Sequence, residues 1–132
     1  MISNKPCIAI SLRIVKAQNY DETRDALSHD WPQFLENLGI IPIYIPNNLL
    51  NVKNYLSAFE IDGLILSGGD NLGADPVRDK TETELLQYAM SKNIPTLGIC
   101  RGLQLINQYF GGSITENNSD CLLYTSPSPR DS

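Results

Sequence analysis

Four short apolar runs recur along the chain: Cys7 to Leu12, Ile40 to Ile45, Gly63 to Leu66 and Thr96 to Ile99. None alternates polar with apolar residues. Each therefore predicts a strand covered on both faces, as in a parallel sheet. Between them the apolar spacing changes to that of a helix. Leu27, Trp31, Phe34, Leu35 and Leu38 form one stripe that stops at Gly39, with Pro32 forcing a kink or a restart capped by Asp30 and Gln33. Val52, Tyr55, Leu56 and Phe59 form a second. Thr81 to Glu84 has the spacing of a capping box before Leu85, Leu86, Ala89 and Met90. Leu103, Ile106 and Phe110 mark a fourth helix, closed by Gly111 and Gly112. Strand and helix alternating in this way predict an α/β protein with a doubly wound parallel sheet and helices on both faces.

Composition narrows the function. The chain has 132 residues, one domain at most, and a net charge of −5. A phosphate-neutralising basic stripe is absent, which argues against nucleic acid as a partner. No apolar run approaches the ~18 residues of a membrane span, and no secretory layout opens the chain. Three scattered cysteines, Cys7, Cys100 and Cys121, make neither a disulfide framework nor a zinc site. A cytoplasmic, reducing home with free thiols follows as the expectation.

One turn carries chemistry. Gly98-Ile99-Cys100-Arg101-Gly102 places a cysteine between two glycines where a predicted strand becomes a helix. The layout parallels the nucleophile elbow of serine hydrolases. Glycines two residues before and after relieve the crowding of a sharp turn. The helix N-terminus favours thiolate over thiol, and its N–H groups can stabilise an oxyanion. A buried cysteine acting as a small hydrophobe is the bland reading, and it suits Cys7 in mid-strand. Ser67-Gly68-Gly69-Asp70-Asn71, at the end of the third strand, lets backbone approach a ligand beside the cysteine. A cysteine nucleophile also wants a base. His29 is the one histidine, and nothing brings it to Cys100. The charged stretch Tyr20 to Trp31 reads first as a solvated helix face, and second as a place where Arg24 or Asp25 selects a leaving group.

Composition shifts again at residues 121–132. Cys121 to Asp131 resembles the forward translation of a transposon-end sequencing adapter, and no periodicity supports burial there. The expectation is a domain portion over 1–120, truncated at its C-terminal side, followed by a disordered tail that is not natural sequence. Loss of further strands would bare a sheet edge and apolar surface.

Ile65 to Asn71 together with Gly98 to Gln104 resembles the class I glutamine amidotransferase superfamily. The Cys-Arg-Gly form, followed by Gln104 to Asn107 and Gly111 to Ile114, is most similar to its γ-glutamyl-γ-aminobutyrate hydrolase branch, peptidase family C26. The resemblance spans about Pro6 to Thr115. It implies a flavodoxin-like sheet, here incomplete, and a Cys-His-Glu triad without metal or organic cofactor. It implies Cys100 as nucleophile, the N–H groups of Gly69 and Arg101 as oxyanion hole, and Gln104, with Asp70 and Asn71, as substrate contacts. The triad His and Glu have no matching positions, so the chain itself is expected to be inactive. The implied reaction is hydrolysis of a γ-glutamyl amide through a γ-glutamyl thioester. The region from Tyr20 to Trp31 is also similar to a hydrolase of γ-glutamyl cytidine-diphosphate amidate in capsule modification. An ammonia-supplying glutaminase with a synthase partner uses the same chemistry. A non-enzymatic flavodoxin-like binding module would want a phosphate-cradling glycine loop after the first strand, where Arg13-Ile-Val-Lys stands instead.

Overall fold

The computed structural model describes residues 5–69 and 73–111 and the backbone of 122–125. Asp70, Asn71 and Cys121 lie outside the described residues. Among the described residues, seven strands and four helices follow in the order β1 (Cys7–Ser11), β2 (Arg13–Lys16), β3 (Thr23–Ala26), α1 (Asp30–Asn37), β4 (Ile41–Ile45), α2 (Val52–Leu56), β5 (Gly63–Leu66), α3 (Pro76–Ser91), β6 (Thr96–Ile99), α4 (Arg101–Tyr109) and β7 (Leu122–Thr125). The main sheet runs β4-β1-β5-β6-β7, and its first four strands are parallel. Counting the parallel strands alone, the order is 2-1-3-4, the flavodoxin-like winding.

The two central strands, β1 and β5, divide their side chains between two cores; β4 adds to the first and β6 to the second. Ala9, Ile45, Leu64 and Leu66 join Val52 and Leu56 of α2, Leu85, Leu86 and Ala89 of α3, and Leu105 and Ile106 of α4. Ile10 and Ile65 join Leu35 and Trp31 of α1, with Ile8, Leu97 and Ile99 packed around them. Three helices therefore cover one face and α1 the other. Both faces are covered over β1 and β5, which accounts for their continuously apolar runs, while Tyr44 of β4 is exposed. Pro42 lies in β4, an edge strand of this sheet, where a missing N–H is tolerated.

Three local expectations change. The Thr81–Glu84 capping box does not start a helix. α3 begins at Pro76, and the Asp75 side chain accepts from the N–H groups of Val77 and Arg78 at 3.1 and 3.4 Å. Asp followed by Pro at the first helical position is the better start. Thr81 is mid-helix, its hydroxyl donating to the Val77 carbonyl at 3.1 Å. In α1, Pro32 falls in the first turn, where it costs no hydrogen bond, and Ser28 rather than Asp30 or Gln33 supplies the capping oxygen, 3.2 Å from the Asp30 N–H. Finally, Thr23–Ala26 is a strand rather than a helix face. It pairs antiparallel with Arg13–Lys16 in a two-stranded ribbon. The Asp25 carboxylate ties this ribbon down by accepting from the Asn47 N–H and side-chain amide, both at 2.9 Å.

The sequence expects no order over 121–132, yet Leu122–Thr125 pairs antiparallel with β6. Without this strand β6 would present a row of unpaired N–H and C=O groups.

The cap at α3 is open to test. Asp75→Ala is expected to cost about 1 kcal/mol of stability in urea unfolding. Glu84→Ala, the residue on which a capping box would rest, is expected to change it by less than about half of that.

Candidate active site

The candidate site lies where β5 and β6 end at the carboxyl edge of the sheet. Cys100 forms the whole link between β6 and α4. Its backbone sits at φ 52° and ψ −101°, a conformation costly to any residue with a Cβ. It is the N-cap of α4, so the residue stands beside the first-turn N–H groups of that helix. The residue is half-buried. Cys7 lies at the start of β1 and therefore at the opposite end of the parallel sheet.

Two glycines make the turn possible by a route more specific than relief of local crowding. A Cβ on Gly98 would lie 2.6 Å from the carbonyl carbon of Gly102 and 2.7 Å from Ile106 Cδ1. A Cβ on Gly102 would fall on the Leu66 carbonyl oxygen and 2.7 Å from Leu66 Cβ. The bare backbones let α4 press onto β6 and β5 at once. The di-glycine segment then meets the cysteine. A Cβ on Gly68 would be 3.6 Å from Cys100 Cβ. Gly69, at φ +135°, lies against Arg78, whose Nη1 would be 2.6 Å from an added Cβ.

The structure thus brings Gly68 against Cys100, with Arg101 next in the chain, while Gly69 lies against Arg78 and Arg13. Gln104 stands one helical turn after Cys100, half-buried, its N–H donating to the Cys100 carbonyl at 3.1 Å. Arg24 is not drawn in. It lies exposed on β3, and its guanidinium is held by Glu22 at 2.8 Å and by the Tyr20 hydroxyl. His29 is exposed at the N-cap of α1.

Beneath the turn lies a charge cluster that the sequence reading missed. The Arg101 side chain, 1% exposed, turns away from the cleft; its Nε donates to Glu82 Oε1 at 2.9 Å and its Nη2 pairs with Asp79. Glu82 is wholly buried, and its second oxygen accepts from Arg78 Nε at 3.1 Å. Arg78, also 1% exposed, donates through Nη2 to the carbonyls of Ser67 at 3.0 Å and Gly68 at 2.9 Å. Two guanidiniums and two carboxylates balance, which is the condition for burying charge. Ser67 is pinned from the other side: its N–H donates to Ser11 Oγ at 2.9 Å and its hydroxyl to the Ser11 carbonyl at 2.8 Å. The signal available in sequence was Arg78 and Glu82 at i, i+4. Such pairs ordinarily sit on solvated helix faces.

The steric reading makes a sharp contrast. Gly102→Ala is expected to cost about 3 kcal/mol, the upper end of overpacking penalties, because backbone blocks the new methyl. Gly68→Ala, which meets only ordinary contacts, is expected to melt within about 3 °C of the parent in thermal denaturation.

Comparison with known proteins adds the lineage. The family model for Peptidase C26 matches residues 6–125. The chain is 33% identical to the provisionally named glutamine amidotransferase-like protein YvdE of Lactococcus lactis over 73% of its own length and 48% of that protein's. It is 29% identical to the γ-glutamyl-CDP-amidate hydrolase of Campylobacter jejuni, over 82% of its own length and 57% of that protein's. It is 32% identical to one chain of the glutamine-hydrolysing GMP synthase of Methanococcus maripaludis, over 61% and 39%. The chain thus spans about half the length of the curated relatives it matches. With an elbow cysteine at the carboxyl edge of a flavodoxin-like sheet and the family model matching almost end to end, the chain belongs to the Peptidase C26 family of class I glutamine amidotransferase-like proteins.

Proposed function

We propose that this chain carries the nucleophile half of a cysteine-dependent hydrolase of γ-glutamyl amides. The observation that supports it most is the backbone of Cys100, held at φ 52° at the head of α4 with Gly68 packed against it. The Cys100 thiolate attacks the δ-carbonyl of the γ-glutamyl group. The Sγ–C bond forms and the carbonyl electron pair moves to oxygen, where the N–H groups of Gly69 and Arg101 receive it. Collapse expels the amine, which takes up the proton that Cys100 gave up on forming its thiolate, carried by the triad base that the family resemblance implies. Water then cleaves the thioester to release glutamate and regenerate the thiol. Gln104 contacts the γ-glutamyl moiety from α4, joined by Asp70 and Asn71 of the loop after β5. A reducing cytoplasm would keep Cys100 a thiol.

The similarity to γ-glutamyl-CDP-amidate hydrolase supports a γ-glutamyl nucleoside-diphosphate amidate as one substrate of this class. A second reading, an ammonia-supplying glutaminase that works with a synthase partner, is favoured by the similarity to the glutamine-hydrolysing GMP synthase. Free ammonia and glutamate in equal amounts from glutamine, without any partner, would favour the stand-alone hydrolase over that reading.

The triad His and Glu implied by family resemblance have no counterpart in these 132 residues. The chain alone is therefore expected to hydrolyse glutamine or γ-glutamyl amides at a rate near background. In the protein that supplies the missing partners, Cys100→Ala is expected to lower kcat at least about 10³-fold, while Cys7→Ala leaves it within twofold, measured by glutamate release. Wild-type turnover by the Cys100 variant would refute the assignment.

A further inference from the structure

The carbonyl of Gly68 and the N–H of Gly69 belong to one planar trans peptide and point in opposite directions. Whatever fixes the first aims the second. Arg78 Nη2 donates to the Gly68 carbonyl at 2.9 Å, and a cationic donor on a carbonyl also polarises the amide, making its N–H a stronger donor. We propose that Arg78 and Glu82 are positioning residues for the oxyanion hole: the Arg78 guanidinium orients and polarises the Gly69 N–H, and the Glu82 carboxylate locks that guanidinium to Arg101, whose backbone N–H is the second donor. This rests on the reading of Cys100 as nucleophile and adds to it the residues that set the separation of the two donors.

The geometry supports a link of this kind and not a general packing role. Glu82 spends one oxygen on each arginine, at 2.9 and 3.1 Å, so that α4 and the loop after β5 are referred to one carboxylate on α3. Arg78 reaches the Ser67 and Gly68 carbonyls with one nitrogen while Nε holds Glu82. Only a planar fork spans those positions. Lysine would keep the charge and lose the geometry. Ser11, at the end of β1, fixes the same loop from the far side, leaving the Gly68–Gly69 peptide as the point on which the guanidinium acts.

Two reagents that attack the same sulfur separate the oxyanion from the thiolate. Acylation by an N-acetylglutamyl γ-(S-phenyl) thioester forms the Sγ–C bond, sends the carbonyl pair to oxygen and expels thiophenolate with its electrons. No proton donor is required. Alkylation by iodoacetamide forms the same kind of bond as iodide leaves, and creates no oxyanion. Both rates are read at Cys100 by peptide mass spectrometry on the full chain. Arg78→Lys and Glu82→Gln are each expected to slow acylation at least about tenfold relative to alkylation, with Cys7 in the same samples unchanged in its ratio. Parallel changes in both rates, no change in either, or loss of cooperative melting in both variants would each overturn the proposal. A parent chain in which Cys100 shows no acylation advantage over Cys7 would instead bring down the nucleophile assignment, and this inference with it.

Discussion

A carboxylate sealed from water must be met by positive charge, and Glu82 is met by two. Its bonds to Arg78 and Arg101 dictate where the third helix, the fourth helix and the loop after β5 stand relative to one another. Taking charges out of water is expensive, and a hydrophobic cluster of equal volume would hold the helices at least as well. What the ionic arrangement adds is direction. Guanidinium and carboxylate planes admit few relative orientations, whereas leucines admit many. Direction is what the proposed oxyanion hole requires and a core does not.

The sheet supplies the other half of the constraint. Because α4 follows β6 with a single residue between them, the helix must lie almost on the strand that launches it. Bare backbone at positions 98 and 102 permits this approach, and it brings the helix N-terminus to the end of β5, where Gly68 and Gly69 leave the sheet. Ser11 and Ser67 lock the ends of β1 and β5 together at the point where the winding of the sheet reverses direction. Open α/β sheets bind their ligands outside such a reversal.

Much of this was legible in the residues. All four parallel strands were marked by continuous apolar runs, fully buried in β5 and partly exposed in the edge strand β4, where Tyr44 faces solvent. The elbow was marked by glycine spacing, which has few other uses. Elements governed by pairing rather than burial were not legible. Thr23–Ala26 has no apolar period and becomes a strand only because Arg13–Lys16 lies alongside. Thr81 and Glu84 carry a start signal that the stronger Asp75-Pro76 overrides a turn and a half earlier. The charge cluster was hidden for a related reason: the spacing of Arg78 and Glu82 describes an exposed pair as well as a buried one. Only Arg101, arriving from another helix, decides between them.

The backbone at Cys100 has one further consequence. Its φ and ψ belong to a region where glycine rests easily and every other residue is held against its preference. That strain lowers the stability of the domain, and it falls on the one residue proposed as the nucleophile. Glycine at this position would relieve the strain and remove the thiol with it, so that if Cys100 is the nucleophile, endurance and reactivity are set against each other in a single pair of torsion angles.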